Sequence, residues 1–115
     1  MKPIEIPSPP HSARLQEGRE VQARIINAFK DRGMRAFPFG SMVTGKVHDH
    51  SDADVLVAGN VDPIKAFLIA EKAANGFPFD VVVWECIDPE YREFILQTMK
   101  KEDIITLISA TENSK

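Results

Sequence analysis

An α/β layout, in which a small sheet is covered by helices, is what this 115-residue sequence predicts, and three observations predict it. Strand-length apolar runs, in MRAFPF, DADVLVAG and FPFDVVVWE, alternate with stretches whose apolar residues recur at helical spacing. Within two of those runs, VLVA and VVVW are apolar at consecutive positions, as in strands buried on both faces. Two Asp-Pro pairs, Asp62-Pro63 and Asp88-Pro89, each follow a strand and place a capping carboxylate before a residue already set for a first helical turn.

The elements follow in order. KPIEIPSPP carries four prolines in nine residues, so residues 1–10 are expected to be an irregular tail, and residues 11–115 a single domain. Ser12 can cap a helix in which Leu15, Val21, Ile25, Ile26 and Phe29 form the apolar side, with Gly33 as its stop. Arg14, Glu17, Arg19, Glu20, Arg24 and Lys30 form its solvated face. MRAFPF is a short strand that Pro38 limits to a place where one ladder bond is dispensable. DADVLVAG is the second strand, closed by Gly59-Asn60. The helix after Asp62-Pro63 takes Ile64, Phe67 and Leu68 as its apolar stripe and ends at Asn75-Gly76. FPFDVVVWE is the third strand, and the helix after Asp88-Pro89 presents Tyr91, Phe94, Ile95 and Met99. IITLI, beyond the polar KKED, fits either a last short strand or further helix.

Composition narrows the function classes. Fourteen basic against seventeen acidic residues give a net charge of −3, which argues against a protein built chiefly to coat nucleic acid and leaves open a small anionic ligand carried with its own metal. One cysteine, Cys86, excludes an internal disulfide framework and is expected to be a small packing residue. No stretch has the length of a membrane span or the layout of a signal peptide, so the expected location is the cytoplasm.

The chemistry sits in the carboxylates. Asp52 and Asp54 alternate at the head of the second strand and share one face, since strand side chains have period two. Asp80 heads the third strand, so neighbouring strands would bring all three to one edge of the sheet. Anions so placed repel unless a cation, a hydrogen-bond network or a shifted pKa relieves them. Magnesium suits such a site, because it uses one or two carboxylates and completes its coordination with phosphate oxygens. The plainer alternative has Asp52 capping a turn, Asp54 solvated and Asp80 at a strand mouth. Gly40-Ser41 favours the first reading, because glycine permits close backbone approach and a serine opening a helix offers its hydroxyl and N–H groups to an anion. His48 and His50, flanking Asp49, are expected to face solvent rather than ligate a transition metal. Phe79 and Trp84 are expected in the core rather than stacked on a base.

GSMVTGKVHDHSDADVLV resembles the signature of the nucleotidyltransferase superfamily with the DNA polymerase beta fold, in which Gly-Ser, a spacer and Asp-x-Asp precede a third carboxylate on a later strand. More closely, Gly40-Ser41 with Gly45, followed by Ser51-Asp52-Ala53-Asp54, is similar to the minimal nucleotidyltransferases. The resemblance implies an α+β domain with a small mixed sheet flanked by helices. It implies that Gly40 and Ser41 hold the triphosphate and that Asp52, Asp54 and Asp80 are the catalytic, magnesium-binding carboxylates. The implied reaction is transfer of a nucleoside monophosphate, AMP if the donor is ATP, to a hydroxyl acceptor with release of pyrophosphate.

Minimal members often pair with a helical HEPN-domain toxin, and some modify a tyrosine of that partner with AMP. The resemblance therefore implies an antitoxin role beside a HEPN-type partner and assembly as a homo- or hetero-oligomer. The chain departs from the pattern in one place: Val43-Thr44 stands where those relatives usually have Ala-Arg, which leaves Lys46 as the neighbouring cation for nucleotide binding. If that departure removes the chemistry, the alternative is a module that neutralises its partner by contact alone.

Overall fold

Alternation along the central strand decides how the layers form. In the computed structural model, which describes residues 12–112, the three strands are β1 (Arg35–Phe39), β2 (Ala53–Ala58) and β3 (Phe79–Val83), in the order β1-β2-β3. β1 runs antiparallel to β2, and β2 parallel to β3, so the sheet is mixed. Val55, Leu56 and Val57 are fully buried, and successive residues enter opposite cores. Val55 and Val57 join Val21, Ile25 and Phe29 of α1 (Ser12–Lys30) and the buried side of α3 (Pro63–Ala74). Leu56 and Ala58 join Phe37, Phe39, Ile95 of α4 (Pro89–Thr98) and Leu107 of α5 (Lys101–Glu112). The short α2 (Ser41–Thr44) links β1 toward β2.

Local chemistry sets the boundaries as the sequence predicts. Asp62 accepts from the Ile64 N–H and Asp88 from the Tyr91 N–H, each with proline at the first turn. Asn75 closes α3 in the left-handed conformation. Gly18 on α1 lies where a Cβ would collide with Met42, so its lack of a side chain lets α2 nest against α1. Gln22, 3 % exposed, donates its amide to the carbonyls of Phe39 (3.2 Å) and Asp54 (2.8 Å), tying α1 to both strands.

Four expectations change and one open alternative is resolved. Ile64, Phe67 and Leu68 are exposed; α3 buries Ala66, Ile69, Ala70 and Ala74 instead. Small side chains let α3 lie close to α1, whose Arg24 reaches the α3 carbonyls of Ala73 and Ala74. On α4, Phe94 is likewise exposed, whereas Ile95 and Met99 are buried. IITLI is helical, within α5, and Leu107 is its fully buried residue. β3 is an edge strand and mostly half-buried, and it ends before Trp84, which opens a 3₁₀ turn with Glu85 and Cys86. Cys86 is consequently exposed rather than packed. Trp84 carries the Arg92 guanidinium 4.6 Å from its ring centroid and packs beside the Leu56 core, while Phe79 packs beside the other core, so both aromatics are engaged within the fold. The expected tail, residues 1–10, lies outside the described residues. No described helix is long and apolar enough to cross a membrane.

Gln22→Met, similar in volume but without the amide, should cost about 1–3 kcal/mol, because two carbonyls at the β1–β2 end lose a buried donor. Urea denaturation of the variant against the parent reads this directly.

Candidate functional site

Asp54 and Asp80 interrupt an otherwise apolar face. Asp54 shares its face with Leu56, and Asp80 with Val82, both of the core under α4 and α5. The two aspartates are direct partners across the parallel β2–β3 pair. Both are half-buried at the end of the sheet where α4 approaches. Asp52, also half-buried, directly precedes β2, and its charge reaches Asp54. The three carboxylates expected at one edge of the sheet are therefore brought to one edge.

Their crowding appears in protonation. Burial, then the charge of Asp80, then that of Asp52 push the Asp54 carboxyl from 3.8 up to about 7. Tyr91, in the first turn of α4, donates its hydroxyl to Asp80 Oδ2 at 3.3 Å. Its own pKa rises to about 12, through burial first and then the Asp80 charge, so the phenol remains a donor.

Gly40 joins β1 to α2 at φ 79°, a conformation that favours glycine, and a Cβ there would run into the Asp54 carboxylate. Its N–H donates to Thr98 Oγ1 at 2.9 Å, and its carbonyl accepts from Val43 and Thr44. Gly40 thus contributes clearance rather than a free amide. Ser41 is half-buried as the first residue of α2, and among the described residues nothing occupies its hydroxyl. Lys46 is exposed just beyond Gly45, on the loop toward Asp52.

That loop is closed on itself. Ser51, 4 % exposed, accepts from the His48 N–H through Oγ at 2.8 Å. Its carbonyl accepts two bonds from Arg14, at 2.9 and 3.1 Å. Arg14, read from sequence as solvated, is therefore a brace for the residue ahead of Asp52. His48 and His50 are exposed, as expected, with the His50 N–H donating to His48 Nδ1. Tyr91, Thr98, Gln22 and Arg14 are the site residues that sequence reasoning missed. Tyr91 and Thr98 lie seven residues apart on α4, on one helix face, which is the one signal that hinted at a shared neighbour.

The donor set fits a hard divalent cation. It is all carboxylate, and the upward shift of Asp54, set first by burial and then by the charges of Asp80 and Asp52, includes a repulsion that a dication would relieve. Among the described residues no group of three or more His, Cys, Asp or Glu side chains is placed to hold a metal ion by itself.

Residues 22–104 match the family model of the nucleotidyltransferase domain. A solved structure described as a candidate minimal nucleotidyltransferase shares the fold, with a TM-score of 0.57 and 24 % identity over 75 % of this chain and 93 % of that one. Comparison with curated proteins finds no match.

Because the folded chain holds the Asp54 proton more tightly than the unfolded chain does, this group's contribution to stability is complete below about pH 4 and is lost as pH rises through about 7. Asp54→Asn, with no charge to desolvate, should melt above the parent at about pH 8 in chelator and lose that advantage near pH 4. Thermal denaturation at both pH values checks it; a less stable variant at the higher pH would remove the electrostatic strain from the account.

Proposed function

Since this chain belongs to the nucleotidyltransferase-domain family, whose members act on nucleoside triphosphates, we propose that it transfers AMP from ATP to a hydroxyl of a partner protein. The observation that carries this reading is the register of Asp54 with Asp80, flanked by Asp52 and by a glycine turn lying against the Asp54 carboxylate. Asp52, Asp54 and Asp80 would hold magnesium. When bound, that ion supplies positive charge to the triphosphate and stabilises the attacking and leaving oxygens.

The chain's own residues do the rest. The Gly40-Ser41 turn admits the outer phosphates close to the backbone, and the Ser41 hydroxyl is available to donate to them. Lys46 offers the nearby positive charge. Asp80 accepts the proton of the acceptor hydroxyl, whose oxygen attacks the α-phosphorus. A phosphorus–oxygen bond to the acceptor forms as the bond to pyrophosphate breaks, and pyrophosphate leaves. Tyr91 and Thr98 are positioning residues, holding Asp80 and Gly40 respectively. This is stabilisation by positioned charge, the largest contribution available to phosphoryl-type transfer.

A cytoplasmic antitoxin working beside a HEPN-type toxin is the biological setting we infer from the family resemblance. The net charge of −3 makes a nucleic-acid acceptor the weaker choice. The test is incubation with α-labelled ATP, magnesium and the protein encoded beside this one, read by mass spectrometry. An AMP adduct on the partner is expected. Stable complex formation without any adduct would support neutralisation by contact.

Asp52→Asn and Asp54→Asn should each lower transfer on the order of a hundredfold or more while leaving the circular dichroism spectrum unchanged. Tyr91→Phe should lower it by about tenfold, the scale of losing a group that orients a ligand, by releasing the Asp80 carboxylate from its hydrogen bond. An unchanged rate would reduce Tyr91 to a packing role.

A further inference from the structure

Tyr91, Phe94 and Thr98 form one stripe along α4, at the spacing that sets side chains above one another on a helix. Both ends of the stripe are tied to the carboxylate end of the sheet: the Tyr91 hydroxyl donates to Asp80 Oδ2, and Thr98 Oγ1 accepts from the Gly40 N–H. Phe94, between them, makes neither bond. At about 100° per residue it lies about 40° past Thr98 and about 100° from the fully buried Ile95, on the side that turns away from the core. It therefore stands beyond the end of the sheet, on the rim of the space in front of Asp54 and Asp80.

Packing does not account for an aromatic ring at this place. Phe94 is 50 % exposed and joins neither of the two cores. Its ring meets Tyr91, with centroids 6.0 Å apart and planes tilted by 31°. That contact orients the Phe94 ring and leaves half of it to solvent. Because Tyr91 is itself held by Asp80, the pair of rings is anchored to the third carboxylate.

The neighbours of the ring select its ligand. One turn before and after it, on the exposed face of α4, stand Glu90 and Gln97, both exposed. A single ring in a polar rim is not the broad apolar patch that marks a protein-docking face. An oriented ring with one open side, next to carboxylates suited to a metal-bound triphosphate, is matched to the flat face of a nucleobase, which stacks whatever groups its edge carries.

We propose that Phe94, backed by Tyr91, is the nucleobase platform of this site, on which the base of a nucleoside triphosphate stacks while its phosphates reach toward Gly40 and Ser41. The inference rests on the nucleotide reading above and adds to it the subsite for the base. Stacking uses the face of the ring and no edge group, so Phe94 supplies affinity for a nucleoside triphosphate over a bare triphosphate. Tyr91 then has two attachments, its hydroxyl to Asp80 and its ring to Phe94, so one side chain holds both the base platform and the third carboxylate.

The test is calorimetric titration of the full chain with magnesium ATP and, separately, with magnesium tripolyphosphate, which has neither base nor sugar. In Phe94→Ala the affinity for ATP should fall about five- to tenfold, the lower end of what stacking on an aromatic side chain contributes, while the affinity for tripolyphosphate stays as in the parent. Phe94→Tyr, which keeps the ring, should bind ATP as the parent does. The position is exposed, and circular dichroism verifies that both variants fold. Equal weakening of the two ligands in Phe94→Ala would mark a general disturbance of the site, and an unchanged ATP affinity would leave the ring to the acceptor. Either result overturns the platform while the nucleotide reading stands, whereas a parent chain that binds neither ligand overturns both.

Discussion

Asp54 and Asp80 are held abreast on adjacent parallel strands, and that unfavourable pairing organises one end of the molecule. Burial first, and then repulsion from Asp80 and Asp52, makes Asp54 hold a proton up to about pH 7. The surrounding contacts keep the pair from relaxing apart. Gln22 clamps the carbonyls of Phe39 and Asp54 from α1. Thr98 holds the Gly40 amide from α4, and Tyr91 holds Asp80. Arg14 and Ser51 close the loop that leads into Asp52. Bonds from opposite layers thus converge on one short edge, where each fixes a backbone or an anion that would otherwise be free to move. A cation-dependent site needs this kind of rigidity, because the electrostatic gain from binding is kept only if the anions are already in place.

Much of this was legible in the chain. Both Asp-Pro caps, the Asn-Gly helix end, the three strands and the gathering of Asp52, Asp54 and Asp80 follow from local rules that the tertiary structure does not override. The α3 face was not legible, because Ile64, Phe67 and Leu68 compete with Ala66, Ile69, Ala70 and Ala74 at equally good helical spacing. Hydrophobicity favours the larger set, while close approach to α1 requires the smaller. The form of IITLI was likewise open, since a run apolar at nearly every position carries no period. Tyr91, Thr98 and Gln22 escaped notice for a different reason. Their partners lie 11, 58 and 32 residues away in Asp80, Gly40 and Asp54, and beyond the shared helix face of Tyr91 and Thr98 nothing local marks them.

The acidic end of the sheet is where we propose that a cation and a phosphate chain bind. A domain with a single three-stranded sheet has little surface for an acceptor pocket of its own, so in that reading a partner protein supplies the acceptor.

The central claim is that the carboxylate row is a cation site under electrostatic strain. A carbon-detected NMR titration of the aspartate carboxyl groups, with and without magnesium, tests it most directly. The account predicts that Asp54 titrates near 7 in the metal-free protein and moves toward the ordinary carboxylate range when magnesium is added. An Asp54 that titrates near 3.8 in both conditions would contradict it.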